Sequence, residues 1–173
     1  MHQIMIFQIT PLLIKKYSCK KKIKHILLIQ HMFNFFNEKK VNKIGYEDVL
    51  YVIKNHENYL FINTLSNEKQ DCLIKNSLTI ENEVTQVNFL LEQQKFSIKI
   101  VIYGEHSCDP SIDKKYKQLK DLGFNNIYIY SGGLFEWLLL QDVYGNKEFP
   151  TTKNIIDILK YRPKGTFNIL RLT

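Results

Sequence analysis

Apolar residues follow two alternating patterns between residues 44 and 161. Short apolar runs, typical of buried strands, cover Tyr59–Leu65, Leu78–Ile80, Lys99–Tyr103 and Ile127–Tyr130. Apolar residues spaced three or four apart, typical of helices, cover Tyr46–Ile53, Glu83–Gln94, Pro110–Leu122, Leu134–Tyr144 and Ile155–Tyr161. Strands that alternate with helices of this length predict a parallel sheet covered on both faces. We therefore expect an α/β fold of three layers, α/β/α, around a central, mostly parallel sheet.

The loop Gly104–Pro110 follows one predicted strand and leads into a predicted helix. In parallel α/β sheets the carboxyl ends of the strands carry ligands, and a helix N-terminus attracts anions. Asp109 is suited to cap that helix, with Pro110 at its first position. We therefore expect the functional site here, as an anion cradle formed by Gly104, Glu105, His106, Ser107, Cys108 and Asp109.

The stretch from Lys99 to Trp137 resembles the last third of the rhodanese-like domain family. That family runs from a strand and a catalytic Cys through a loop ending in Arg and a helix to Gly-Phe, a second strand, Gly-Gly and Trp. Gly123-Phe124, Gly132-Gly133 and Trp137 fall in this order. The resemblance extends less specifically over about Ile44 to Tyr161, and it implies that the α/β fold is rhodanese-like.

The resemblance also implies that the site has lost its usual chemistry. In the family the strand-end Cys carries the transferred sulfur as a persulfide, but that position here is Gly104. The family's Arg is absent between Glu105 and Ser111, and the Asp and Arg of the early strand are replaced by Asn63 and Leu65. These departures predict a non-catalytic binding or scaffolding module that needs no cofactor and has a protein partner.

Cys108 and His106 keep an enzymatic alternative open. Cys108 lies beside the predicted helix start, where a thiolate is stabilised, although it stands four residues beyond the family's nucleophile position. His106 would assist as a base or a cation, whereas Glu105 and Asp109 would raise the pKa of the thiol and oppose an anionic substrate. The alternative is therefore a sulfurtransferase or persulfide carrier that uses Cys108 with a small, thiosulfate-type sulfur anion.

The net charge of +7 is concentrated at the amino terminus. Residues 1–37 contain no Asp or Glu but include six lysines, so the rest of the chain carries a net charge of only +1. We predict a basic extension over 1–43, either disordered or a targeting segment, a rhodanese-like domain over 44–161 and a tail over 162–173. A nearly neutral domain argues against nucleic-acid binding. No apolar run approaches the roughly 20 residues of a transmembrane helix, so none is expected.

The three cysteines, Cys19, Cys72 and Cys108, form no Cys-x-x-Cys pair and are odd in number. This usage predicts neither a disulfide framework nor a metal site, and it is typical of an intracellular, reducing compartment. Free cysteines are often buried, so Cys72, just before a short apolar run, is predicted in the core. Trp137 is also predicted in the core, and His56 in a solvated turn.

Overall fold

The computed structural model describes residues 41–165. Residues 1–40 of the predicted extension 1–43 and residues 166–173 of the predicted tail 162–173 lie outside the described residues. Four strands are present in this range: β1 (Asn42–Ile44), β2 (Tyr59–Asn63), β3 (Lys99–Tyr103) and β4 (Asn126–Tyr130). Four α-helices accompany them: α1 (Tyr46–Lys54), α2 (Ile80–Glu92), α3 (Ser111–Asp121) and α4 (Gly133–Tyr144). Three short 3-10 helices cover His56–Asn58, Asn67–Lys69 and Ile158–Tyr161.

The four strands form one parallel sheet in the order β1-β4-β3-β2. The register places Asn63 opposite Tyr103, and Tyr103 opposite Tyr130. Three neighbouring strands therefore end in line, so the segments that follow them leave the sheet at one edge. The predicted α/β fold with a parallel sheet is confirmed.

Alternate residues of each strand pack on opposite faces of the sheet, as the two-residue period of a strand requires. On one face, Ile62, Ile100 and Ile129 pack with buried residues of α2 and α3. On the other, Phe61 and Val101 pack with buried residues of α1 and α4. Each face thus has its own apolar core, and the predicted three layers are confirmed.

The predicted strand Leu78–Ile80 is not formed, and this expectation was wrong. Leu78 makes only an isolated parallel bridge to Ile62. Thr79 already caps α2, because its side chain accepts a hydrogen bond from the Asn82 N–H (3.4 Å). A Thr at the cap position starts the helix at Ile80 and leaves too few residues for a strand.

The buried face of α2 does not include all the apolar residues of the predicted helix Glu83–Gln94. Three residues share that face: Glu83, Val87 and Leu90. Val84 and Phe89, which the sequence placed among its apolar positions, are 58% and 49% exposed. Glu83 is buried because its carboxylate pairs with Lys115 Nζ of α3 at 2.7 Å. The ion pair lets a charged residue take an inward position that apolar spacing alone would give to its neighbours.

Several predicted helix boundaries shift. The second α-helix runs Ile80–Glu92 instead of Glu83–Gln94. The last helix, expected over Ile155–Tyr161, is a single 3-10 turn over Ile158–Tyr161. The third α-helix starts at Ser111 instead of Pro110.

The predicted environments of Cys72, Trp137 and His56 are confirmed. Cys72 and Trp137 are fully buried, and His56 is exposed in a 3-10 turn. The Cys72 thiol donates to the Lys153 carbonyl (3.1 Å), and burial raises its pKa. No helix between residues 41 and 165 is long and apolar enough to cross a membrane.

Buried phenols predict a loss of stability at high pH. Burial raises the pKa of Tyr103, Tyr130 and Tyr161, the last to about 12. In the unfolded chain these phenols ionise near pH 10, while in the fold they stay neutral. Their contribution is therefore complete below about pH 10 and is lost above it, by up to about 1.4 kcal/mol per pH unit for each group.

Urea unfolding followed by Trp137 fluorescence between pH 7 and 11 measures this loss. We expect Tyr130→Phe to reduce the slope above pH 10 by up to about 1.4 kcal/mol per pH unit, because one titrating group is removed. An unchanged slope in Tyr130→Phe would contradict the assignment of the effect to this phenol.

Candidate functional site

The carboxyl ends of β2, β3 and β4 lie side by side and carry the segments that begin at Thr64, Gly104 and Ser131. Hydrogen bonds join the first two segments. The Thr64 N–H donates to the Tyr103 carbonyl (2.9 Å), and the Thr64 hydroxyl lies 2.6 Å from the Ser111 hydroxyl at the start of α3. The loop Gly104–Pro110 is thus held between strand ends whose positions the sheet fixes.

Asn63 organises the segment after β2. It is only 2% exposed, and its Nδ2 donates to the Leu78 carbonyl. Its Oδ1 accepts from the Leu65 N–H (3.0 Å) and from Gln70 Nε2 (2.8 Å). A buried amide with all these partners supports the turn it lies in, so Asn63 acts here as a structural residue.

The Asp109 carboxylate covers Gly104. Its Oδ2 accepts the Glu105 N–H (2.9 Å) and its Oδ1 accepts the Ser111 N–H (2.9 Å). A Cβ placed on Gly104 would overlap Asp109 Oδ2 and lie 2.8 Å from Ile112 Cγ1. The space that a side chain at Gly104 would need is therefore filled by Asp109. Asp109 is not the N-cap as predicted, because the helix begins at Ser111 and Pro110 takes that position, but Asp109 Oδ1 accepts the first N–H of the helix.

The start of α4 holds the other side of the loop. The Leu134 N–H donates to the Gly104 carbonyl (2.9 Å), and the Phe135 N–H donates to the Glu105 carbonyl (2.8 Å). Gly133 has a φ of +66°, and a Cβ there would lie 2.7 Å from the Gly104 oxygen. Two N–H groups at this helix N-terminus are thus used by loop carbonyls.

Cys108 is exposed and lies outside any cluster of amide donors in the described part of the chain. Its Sγ is 3.8 Å from the Ser107 hydroxyl, and its own N–H donates to His106 Nδ1 (3.3 Å). The Asp109 N–H donates to the His106 carbonyl (3.1 Å). His106 therefore contacts the backbone of the turn, and no hydrogen bond within residues 41–165 joins it to the Cys108 thiol. The catalytic roles of Cys108 and His106, and the anion cradle, stay predictions.

A cleft of about 660 Å³ opens beside this loop. Glu105, His106, Cys108 and Pro110 form one side, and the segment Leu159–Gly165 forms the other. Four cationic side chains line it: Lys69, Lys160, Arg162 and Lys164. The only carboxylate among the lining residues, Glu105, lies 2.6 Å from Lys69 Nζ. The positive charge of the cleft therefore comes from segments other than the loop Gly104–Pro110.

These cations were not predicted, because Lys160, Arg162 and Lys164 belong to the predicted last helix and tail and Lys69 lies in the turn after β2. A signal is present in Lys160-Tyr161-Arg162-Pro163-Lys164, where cations alternate with a tyrosine and a proline. Alternation of this kind is typical of a non-helical segment in which one residue packs into the core and its charged neighbours face the solvent. Within the described residues, no group of three or more His, Cys, Asp or Glu side chains could hold a metal ion.

Comparison with known protein families agrees with the α/β fold described above. The sequence model of the rhodanese-like domain matches residues 48–140, which is more than half of the chain. The chain belongs to the rhodanese-like domain family. A search of curated proteins found no match. The matched range of this rhodanese-like chain includes the loop at Gly104 but ends before the cationic segment Leu159–Gly165.

Solved structures are similar to this rhodanese-like protein in fold. A yeast protein tyrosine phosphatase of the rhodanese family is 14% identical, with a TM-score of 0.50, and the similarity covers 72% of this chain and 99% of that one. The rhodanese-like domain of an Anabaena sp. protein is 18% identical, with a TM-score of 0.47, over 76% of this chain and 91% of that one. At 14% identity, the similarity to the yeast phosphatase shows a shared fold and nothing more.

Proposed function

We propose that this rhodanese-like protein is a binding or scaffolding module without catalytic activity of its own. The observation that carries the proposal is the Asp109 carboxylate over Gly104. At the position where the family has its nucleophile there is no side chain, and the space above it is filled. The Glu105 and Ser111 amides point at Asp109.

A tethered carboxylate is a strong competitor for these amides. A free thiosulfate, persulfide or phosphate would have to displace a group that is held beside them at high effective concentration by the chain itself. It would also meet the negative charge of Asp109. Neither a sulfur-transfer intermediate nor a phosphoryl transition state is stabilised in such a loop, because both need free amides or a cation aimed at the reacting atoms.

A second candidate, a persulfide carrier that uses Cys108, is favoured by one observation. Cys108 is exposed and lines the cationic cleft. In such a reaction the Cys108 thiolate would attack the outer sulfur of thiosulfate, form a persulfide and release sulfite. One observation argues against this role: no described backbone N–H donates a hydrogen bond to Sγ, whose contact is the Ser107 hydroxyl at 3.8 Å.

The test is a thiosulfate and cyanide assay of the full chain, with thiocyanate as the product and p-nitrophenyl phosphate hydrolysis in parallel. We expect no turnover above the rate without protein. We also expect none in Gly104→Cys, because the new Cβ would overlap Asp109 Oδ2. The double variant Gly104→Cys/Asp109→Gly removes that overlap and is the matched control that shows whether Asp109 alone blocks the site.

Thiocyanate formed by the wild type and abolished in Cys108→Ser would overturn the non-catalytic proposal and establish the persulfide carrier. Mass spectrometry of the thiosulfate-treated wild type provides a second measurement, since a persulfide adds one sulfur atom to Cys108. We further propose a reducing, intracellular setting, which both described cysteines support because both are free thiols.

A further inference from the structure

Three cations form a continuous surface on one side of the cleft. This surface, the basic wall, consists of Lys160, Arg162 and Lys164, all exposed and all lining the cleft. The backbone at Arg162 is extended, with φ −64° and ψ 154°, and Pro163 fixes the next φ near about −65°. The charges of Arg162 and Lys164 are therefore spaced about two extended residues, or roughly 6 to 7 Å, apart.

Tyr161 anchors the basic wall to the domain. Its ring is fully buried in the core between the sheet and α4, directly between Lys160 and Arg162 in the chain. Lys160 Nζ and Lys69 Nζ lie 5.4 and 5.8 Å from its ring centroid. The backbone of the wall is thus attached at Tyr161 to the core that packs against the sheet and α4.

The charges of the basic wall are not neutralised within residues 41–165. No described carboxylate forms an ion pair with Lys160, Arg162 or Lys164, and Glu105, across the cleft, is paired with Lys69. Cations held on one surface without partners raise the local concentration of anions and attract them over a distance of about one Debye length. The cleft therefore has a positively charged side whose three cations form no ion pair with the described carboxylates.

We propose that the basic wall binds an extended acidic segment of a partner protein, with carboxylates at alternate positions. Side chains two residues apart in an extended peptide repeat at about the 6 to 7 Å spacing of Arg162 and Lys164, and Lys160, in the 3-10 turn before them, adds a third positive charge. Three cations on alternate residues favour a ligand that carries several linked negative charges, because each further contact is made at high effective concentration. The wall's one aromatic ring, Tyr161, is buried and offers no face on which a nucleic-acid base would stack. This inference rests on the proposed binding function and names the class of partner.

Fluorescence anisotropy of the full chain with a labelled octapeptide of alternating Ser and Glu tests the proposal. We expect the triple variant Lys160→Glu/Arg162→Glu/Lys164→Glu to weaken binding at least tenfold. The matched control is Lys75→Glu/Lys147→Glu/Lys153→Glu, which has the same net charge but changes three exposed lysines outside the cleft. We expect less than a threefold change there. Both variants keep the basic residues 1–40, so their difference isolates the wall.

Equal weakening by the two triple variants, or no binding by the wild type, would overturn the proposal. So would tighter binding of an oligo(U) octamer than of the peptide, which would identify a nucleic-acid surface. Urea unfolding checks that each variant is folded, and a Lys160→Gln/Arg162→Gln/Lys164→Gln variant repeats the test without added negative charge. If the wild type forms thiocyanate and still binds the peptide through the wall, only the proposed function is overturned. If the wild type is inactive and binds the peptide equally well without the wall's cations, only this inference is overturned.

Discussion

Gly133→Ala is expected to lower the free energy of unfolding by about 3 kcal/mol or more. Two costs combine at this position. A non-glycine residue at φ +66° carries backbone strain of about 1 kcal/mol or more, and the new methyl group adds overpacking of about 1 to 3 kcal/mol. The overlap is with backbone, at 2.7 Å from both the Gly104 oxygen and the His106 nitrogen, so no side-chain rotation relieves it.

Gly133→Ala should change the conformation of the loop Gly104–Pro110 as well as the stability of the fold. The loop carbonyls of Gly104 and Glu105 accept the first N–H groups of α4, so separating the helix from the loop breaks both hydrogen bonds. Urea unfolding measures the loss, and the rate at which a maleimide reagent labels Cys108 reports the loop. Labelling should change in Gly133→Ala because Cys108 lies in the displaced segment.

Gly145→Ala is the matched control for Gly133→Ala. Gly145 also has a positive φ, +90°, but a Cβ there would meet nothing within 4 Å. Gly145→Ala therefore reports backbone strain without overlap, in a region of φ and ψ (+90°, 158°) that only glycine commonly adopts, and it should leave the Cys108 labelling rate unchanged. A labelling rate that is unchanged in both variants would show that the contact between Gly133 and the loop has no consequence for the loop.

Much of the fold follows from local sequence patterns, because β2, β3 and β4 are compact apolar runs and the helices carry regularly spaced apolar residues. The strand-helix alternation and the Gly132-Gly133 turn into α4 are of this kind. The strand β1, Asn42–Ile44, was not predicted, because it has a single apolar residue and forms only by pairing with β4. Glu83 also departs from the local patterns, since its burial depends on Lys115 of another helix. The strand expected at Leu78–Ile80 fails for a local reason, the cap formed by Thr79, which competes with the apolar run.

The sequence suggests where the candidate site lies but not which contacts it makes. Ligands commonly bind at the carboxyl ends of parallel strands, which points to the loop after β3, and an Asp before Pro110 indicates a contact with the start of α3. That the second oxygen of Asp109 reaches back to the Glu105 N–H depends on the path of the whole loop. The basic wall depends on folding a segment some fifty residues later in the chain back against that loop, which no local pattern encodes.

Tyr161→Ala is expected to lower the free energy of unfolding by about 3 to 5 kcal/mol, the range typical of removing a large buried ring. The ring is fully buried, and truncation leaves a cavity in the core that it shares with Trp137 and Leu73. Urea unfolding followed by far-UV circular dichroism measures the loss. Because Tyr161 lies between Lys160 and Arg162, the same variant should release the basic wall and weaken binding of the acidic peptide.

Tyr161→Phe removes the hydroxyl and keeps the ring, so it tests their contributions separately. The Tyr161 hydroxyl is buried and has no hydrogen-bond partner in the described residues, so its removal deletes an unsatisfied polar group while the packing stays. We expect a stability equal to that of the wild type or higher by up to about 1 kcal/mol, with unchanged peptide binding. A large loss in Tyr161→Phe would mean that the hydroxyl has a partner that stabilises the fold. A small loss in Tyr161→Ala would mean that the wall is not anchored by this ring, and the fixed spacing of its cations would then need another source.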